Sequence, residues 1–161
     1  LGNTQLEWIN GLKLDPQKTI VLTHHTGFAY DCSSVFDLWY QVRAALGGND
    51  PYAWYWGHPH NGIVYNNSVT IPVPGKPDFT TKTYARCAGH GALPYGVAST
   101  LPGNPNVLWQ ANSPIPSSKQ IYNGFVLLSL QSSNNQVTQI SEAYFDPSSD
   151  QAKWNLNIYP G

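Results

Sequence analysis

The sequence predicts a mixed fold of the α/β (α+β) class. Two segments have the apolar spacing of amphipathic helices, and short runs rich in β-branched and aromatic residues are typical of strands. A strand, a helix and a second strand follow one another before residue 62, whereas strand signals and loops fill the chain after it. We therefore expect a βαβ unit in residues 1–62 and a β-rich remainder in residues 63–161.

A helix is predicted at the start of the chain, followed by a buried strand. Thr4-x-x-Glu7 is a capping box, apolar residues recur at i, i+3 spacing around it, and Asp15-Pro16 is a helix stop. Residues 19–23 then form a β-branched and almost wholly apolar run. Such a run is expected of a strand that is covered on both faces.

A second helix and a second strand complete the βαβ unit. Ser34 is the predicted N-cap, an apolar stripe follows it, and Gly47-Gly48 ends the helix. The aromatic run Ala53–Trp56 is the next strand. Because a helix connects the two strands, we expect them to run parallel through a right-handed crossover.

The remainder of the chain is predicted to be mostly β-structure. A hairpin is expected at Asn66-Asn67, and the prolines between residues 94 and 116 indicate an ordered loop with one short strand. The predicted strands of this part are residues 63–65, 68–71, 80–87, 107–109, 125–130, 137–145 and 154–159.

The composition excludes several classes of function. Charged residues make up 11% of the chain and the formal net charge is −1, so we expect no binding to a nucleic-acid backbone or an anionic membrane surface. No apolar run approaches the ~20 residues of a membrane span.

The composition also bears on where the protein is found. Low charge with abundant Asn, Ser, Trp and Tyr favours an exported protein, although the localisation stays open. Whether Cys32 pairs with Cys87 stays open as well. Methionine is absent, including at position 1, so we expect a processed, trimmed or partly identified chain.

The histidines gather at predicted strand ends. His24-His25 comes directly after the first strand of the βαβ unit, and His58-x-His60 comes just after the second. Parallel strands lie about 4.8 Å apart, and open sheets bind ligands at the edge where their carboxyl ends meet. Neutral imidazole is the commonest protein ligand for transition metals. The spacing therefore predicts a metal site at this edge.

These histidine segments and their surroundings resemble the calcineurin-like (purple-acid-phosphatase-like) metallophosphoesterases. One histidine pair follows a strand, and the next cluster has the pattern Gly-His-x-His. The matching segments cover nearly the whole chain, and their order and spacing are similar to those of the C-terminal half of that fold. The matching segments are QLEW (5–8), TIVLTHH (19–25), YWGHPH (55–60), ARCAGHGALPY (85–95) and NGFVLL (123–128).

The resemblance implies a site for two metal ions between two β-sheets flanked by helices. By analogy, His24 and His58 bind one ion and His60 binds the other, with zinc, iron or manganese as the metal. His25 is then a neighbour of the metal or the substrate, although the His24-His25 pair can be assigned in the opposite order. His90 lies in a Gly-rich segment whose backbone can approach a phosphate, so it joins His25 as a catalytic candidate. The implied reaction is hydrolysis of a phosphate ester.

The chain lacks the acidic and Asn-His motifs that the family carries in its N-terminal half. No Asp-x-His, Gly-Asp-x-x-Asp or Gly-Asn-His motif occurs in the sequence. Two dications about 3.5–4 Å apart repel each other strongly without a bridging carboxylate. We therefore expect residues 1–161 to be the C-terminal portion of one metallophosphoesterase domain, part of a two-sheet β-sandwich. The missing N-terminal half is its expected partner, and the isolated chain is expected to be inactive.

Two other functions stay open on the sequence alone. Three histidines and a water around one zinc ion would make a mononuclear hydrolase site in a complete protein. A non-catalytic β-rich binding or assembly module would keep the fold without the chemistry, and the many Trp and Tyr residues suit an interaction surface. The number of bound metal ions distinguishes these hypotheses.

Overall fold

The protein has a mixed α/β fold, in agreement with the predicted class. A computed structural model describes residues 1–92 and 101–160, and within them ten strands form three sheets beside two α-helices. No helix in this part of the chain is both long and apolar enough to cross a bilayer. The elements are α1 (Asn3–Gly11), β1 (Ile20–Thr23), α2 (Asp37–Ala45), β2 (Ala53–Trp56), β3 (Gly62–Tyr65), β4 (Val69–Ile71), β5 (Phe79–Thr81), β6 (Tyr84–Ala88), β7 (Val107–Gln110), β8 (Phe125–Ser133), β9 (Gln136–Phe145) and β10 (Trp154–Tyr159), with short 3-10 helices at Pro16–Lys18 and Gly89–Gly91.

The central layer is a five-stranded mixed sheet with the strand order β1-β2-β6-β3-β7. β1 and β2, which α2 connects, run parallel, so the predicted pairing of the βαβ unit is confirmed. β6 extends the parallel set, and Thr23, Trp56 and Cys87 lie side by side near the ends of these three strands. β3 and β7 are antiparallel additions. The carboxyl ends of β1, β2 and β6 therefore meet at one edge of the sheet.

Both faces of β2 are covered, which explains why this strand is a continuous apolar run. The same burial predicted for β1 is wrong: β1 lies at the edge of the sheet, and Leu22 is 73% exposed. Trp54 and Trp56 of β2 face α2 and pack with Trp39 in an aromatic core. Ala53 and Tyr55 face the opposite side and pack against β9 and β10. All four residues of β2 are buried as a result.

The second layer is an antiparallel sheet with the order β10-β9-β8, which confirms the three predicted C-terminal strands. The β8–β9 hairpin turns at Asn134 and Asn135, whose φ angles are 52° and 60°. Asparagine tolerates this left-handed conformation, and two such residues in succession match the twist of the flanking strands. Ile140 and Ile158 pack the inner face of this sheet against the central sheet.

The predicted hairpin around residues 66–67 is wrong. β3 joins the central sheet, whereas β4 pairs with β5 in a separate two-stranded sheet. The backbone N–H of Asn66 donates to the carbonyl oxygen of Asn106 at 2.9 Å, so the chain continues beside β7 instead of turning back. The single strand predicted over residues 80–87 is also divided into β5 and β6, which belong to different sheets. Between them the backbone N–H of Thr83 donates to Oγ1 of Thr81 at 3.1 Å.

Both predicted helices are present, but their first residues differ from the prediction. α1 is capped at Gly2 and not at Thr4. α2 starts later than predicted, at Asp37, because Phe28 and Val35 form a β-bridge that keeps the preceding segment extended. The predicted loop over 94–116 lies partly outside the described residues, and its short strand corresponds to β7.

One fully buried ion pair joins the two sheets. Nε of Arg86 in β6 donates to the carboxylate of Glu142 in β9 at 2.7 Å, and both side chains are 0% exposed. Tyr55 donates to the same carboxylate at 2.7 Å, and Arg86 also donates to the carbonyl oxygens of Tyr65 and Ala85. A buried charge requires such compensation, so the loss of either partner leaves the other charge unpaired in the core.

Replacing Glu142 with Gln should lower the free energy of unfolding by about 3–5 kcal/mol, because it leaves the Arg86 charge buried and unpaired. Urea titration followed by Trp fluorescence measures this change. The control is Lys18→Met at the exposed Lys18–Asp15 pair, where the free energy should change by less than about 1 kcal/mol. A Glu142→Gln protein as stable as the wild type would contradict this account of the interface between the sheets.

Candidate metal centre

Two strand ends bring three histidines next to each other. β1 continues directly into His24 and His25, and β2 reaches His58 after a single glycine. The carbonyl oxygen of His24 accepts hydrogen bonds from the backbone N–H groups of Gly57 at 3.1 Å and His58 at 2.8 Å. The parallel pairing of the two strands therefore extends into the histidine segments and fixes the separation of their backbones.

The three imidazole rings face one another beyond these strand ends. Nε2 of His24 lies 3.2 Å from Nδ1 of His58, and the ring centroids of the three pairs are 5.0, 5.1 and 5.0 Å apart. The three side chains are exposed, and each offers a ligand atom within 4.8 Å of those of the other two. His24 and His58 thus converge as their strand positions predict, and His25 lies with them. We refer to these three residues as the histidine group.

The contact between His24 and His58 requires a proton or a cation between the rings. Two lone pairs that face each other repel, so at 3.2 Å either one ring nitrogen carries a hydrogen and donates it, or one ion binds both nitrogens. Two nitrogens bound to one tetrahedral zinc ion, each at about 2.0–2.1 Å, lie about 3.3 Å apart. The observed separation therefore suits a shared ion.

The histidine group contains no carboxylate or thiol from the described part of the chain. The bridging carboxylate that the resemblance implies is therefore not supplied by these residues. Neutral imidazoles leave the positive charge of a bound cation uncompensated. Such a cation attracts an anion to its open side, and a phosphate group is one anion of this kind.

His60 lies two residues beyond His58 and is not a member of the histidine group. Its segment lies against the end of β6, where Sγ of Cys87 is 3.2 Å from the carbonyl oxygen of Pro59 and 3.0 Å from that of Asn61. The single hydrogen of the thiol is donated to one of these oxygens or shared between them. The side chain of His60 is half-buried in this packing. Its assignment to a second ion stays a prediction.

Gly89 allows the end of β6 to approach residues 57–61 closely. These residues connect β2 to β3 and carry His58 and His60, and we refer to them as the histidine loop. A Cβ atom at Gly89 would lie 2.0 Å from the carbonyl oxygen of Pro59 and 2.1 Å from that of Gly57. A side chain at this position would fit only if the backbone carrying these oxygens moved, so the position favours glycine. The only sequence feature that could have indicated this contact is the Gly-rich motif around His90. The structure places this motif against the histidine loop.

His90 is buried and is not a member of the histidine group. Its side chain is 3% exposed, its ring stacks on Tyr144 with centroids 5.7 Å apart, and a Cβ at Gly124 would approach the ring to 2.5 Å. Burial lowers the pKa of His90, against the opposing effects of the Asp146 charge and a hydrogen bond to the Phe145 backbone. A direct catalytic role would require the ring to become accessible, so that role also stays a prediction.

The chain matches no protein-family model, and no curated protein matches its sequence. The resemblance to metallophosphoesterases therefore rests on the sequence motifs quoted above. Fold and geometry define a coarser class: a mixed α/β protein with an exposed histidine group at the carboxyl edge of its parallel strands.

Replacing Gly89 with Ala should destabilise the protein by about 1–3 kcal/mol, because the added methyl group overlaps two carbonyl oxygens of the histidine loop. Urea unfolding measures the effect. The matched control is Gly57→Ala in the same loop, where nothing lies within 4 Å of the added carbon and the change should stay within about 0.5 kcal/mol. Equal effects of the two substitutions would argue against the close packing at Gly89.

Proposed function

We propose that this chain provides the histidine ligands of a metal-dependent phosphoesterase, the activity that its family resemblance implies. The observation that carries the proposal is the 3.2 Å separation between Nε2 of His24 and Nδ1 of His58. The resemblance to metallophosphoesterases assigns these same two residues to one metal ion. They are 34 positions apart in the sequence, so chain proximity does not account for their meeting.

The chemistry of the donors suits a transition metal. Imidazole nitrogens bind zinc, iron and other first-row metals, whereas magnesium and calcium prefer oxygen ligands. Both side chains are exposed, so an anion from solution can reach a cation held between them. When bound, the divalent cation supplies Lewis acidity towards a phosphoryl oxygen.

The residues of the chain bind and orient in this proposal. His24 and His58 hold the first ion, and His60 is the candidate ligand of the second. The ring centroid of His25 lies 5.0 Å from those of both His24 and His58, so its N–H can donate to a phosphate oxygen beside the ion. No Asp or Glu belongs to the group within the described ranges, so the group itself carries no negative charge that would repel a phosphate.

The dinuclear form of the site needs anionic ligands from elsewhere. Two dications about 3.5–4 Å apart are stable only with a bridging anion. The proposal therefore includes a partner segment that supplies carboxylates, the N-terminal half that the resemblance implies. A free sheet edge supports this part of the proposal: among the described strands β1 pairs with β2 alone, and Leu22 of β1 is 73% exposed.

A mononuclear zinc hydrolase is the second candidate, and one observation favours it. His25 belongs to the histidine group, whereas His60 does not. Three histidines with an open fourth position are the ligands of a mononuclear catalytic zinc site. The two candidates therefore differ in the third histidine ligand, which is His25 in the mononuclear site and His60 in the dinuclear site.

Replacing His58 with Ala should weaken binding of the first cobalt or zinc equivalent by more than about 100-fold, because a direct ligand matters more than the residues that orient it. His25→Ala should leave this equivalent bound. Optical titration with cobalt measures both affinities. Loss of the first equivalent in His25→Ala would favour the mononuclear candidate, and unchanged binding in His58→Ala would contradict both.

The reaction class is tested by phosphate binding. The zinc-loaded chain should bind inorganic phosphate in a calorimetric titration, whereas the metal-free chain and His58→Ala should not. A zinc-loaded chain with no affinity for phosphate would count against a phosphoesterase and in favour of a metal site with another use.

A further inference from the structure

A side-chain hydrogen bond closes a turn around the histidine pair. Thr23, the last residue of β1, donates its hydroxyl hydrogen to the carbonyl oxygen of His25 at 2.7 Å. His24 and His25 both lie within the ring that this bond closes. The bond therefore restricts the backbone dihedral angles that direct the two imidazoles towards His58.

A buried tryptophan holds the Thr23 hydroxyl in this orientation. Nε1 of Trp54 donates to Oγ1 of Thr23 at 2.8 Å. An indole N–H can only donate and a carbonyl oxygen can only accept, so the hydroxyl must accept from Trp54 and donate to His25. Trp54 is 0% exposed and stacks on Trp39 with ring centroids 4.7 Å apart. The aromatic core thus fixes the position of the Trp54 N–H, and this N–H fixes the orientation of the Thr23 hydroxyl.

The same turn is bonded to the third histidine. The carbonyl oxygen of His24 lies inside the turn and accepts from the backbone N–H of His58 at 2.8 Å. A change in the turn therefore moves the His24 ring and the backbone of His58 together. The three residues of the histidine group form one hydrogen-bonded unit, with Thr23 at its junction to the core.

We propose that Thr23 is a positioning residue of the metal centre: its hydroxyl, held by Trp54, keeps the His24-His25 turn in the geometry that binds a cation. This inference rests on the proposed metal site and adds a residue outside the ligand set. Residues that orient metal ligands typically contribute about 10–100-fold to metal affinity. Removal of the hydroxyl should therefore weaken metal binding although every ligand is still present.

Cobalt titration of the full chain tests this role with two substitutions at Thr23 and one matched control. Thr23→Val removes the hydroxyl and keeps the side-chain shape, whereas Thr23→Ser keeps the hydroxyl. Thr19→Val is the control, because Thr19 precedes the same strand and donates to the carbonyl oxygen of Asp15 at 2.7 Å, at the opposite end from the histidines.

Thr23→Val should bind cobalt about tenfold more weakly or worse, while Thr23→Ser and Thr19→Val should stay within about threefold of the wild type. The visible absorption of bound cobalt should also shift in Thr23→Val, since the ligand geometry changes. Circular dichroism at the titration temperature shows that each variant is folded. If Thr23→Val does not fold, Thr23→Ala leaves room for a water at the Trp54 N–H and should show the same loss of affinity.

Wild-type affinity in the folded Thr23 variant that lacks the hydroxyl would overturn this inference and leave the metal site intact. An equal loss in Thr23→Ser would also overturn it, because the methyl group and not the hydroxyl would then be responsible. Absence of cobalt binding by the wild-type chain would overturn the metal site and, with it, the role of Thr23.

Discussion

The parallel alignment of β1, β2 and β6 is the constraint on which the histidine group depends. Because the three neighbouring strands run in the same direction, their carboxyl ends lie at one edge, and the segments that follow them share that space. His24 leaves β1 and His58 leaves β2 at this edge. If β2 ran antiparallel to β1, His58 would lie at the far end of the sheet. The parallel direction of the strands therefore allows His24 and His58 to meet, and side-chain packing sets the distance between their rings.

A rigid support is the second requirement of such a site, since ligand positions must be held within about 0.5 Å for tight metal binding. β2 in the central sheet supplies it, because one of its faces packs on an aromatic core and the other on the three-stranded sheet. The buried Arg86–Glu142 pair connects the two sheets. Hydrogen bonds then connect the loops to the sheet. Thr23 binds the backbone of the His24-His25 turn, and Cys87 binds the backbone of the loop that carries His58.

Much of the fold was predictable because its strands and turns are encoded locally. β10 follows the strict alternation of apolar and polar residues over Trp154–Tyr159. The partners of β3 and β4 were not predictable, since contacts with distant strands select them. The meeting of His24 and His58 followed from strand order. The inclusion of His25 in the histidine group, and the close packing at Gly89, depend on loop geometry that no local pattern encodes.

Anomalous diffraction at the zinc absorption edge, from crystals of the zinc-loaded chain, tests the central claim most directly. The account predicts an anomalous peak about 2.0–2.1 Å from Nε2 of His24 and from Nδ1 of His58, because the two rings share one ion. A fully occupied zinc position that lacks either nitrogen as a ligand, or zinc-loaded crystals with no peak between the two rings, would contradict it.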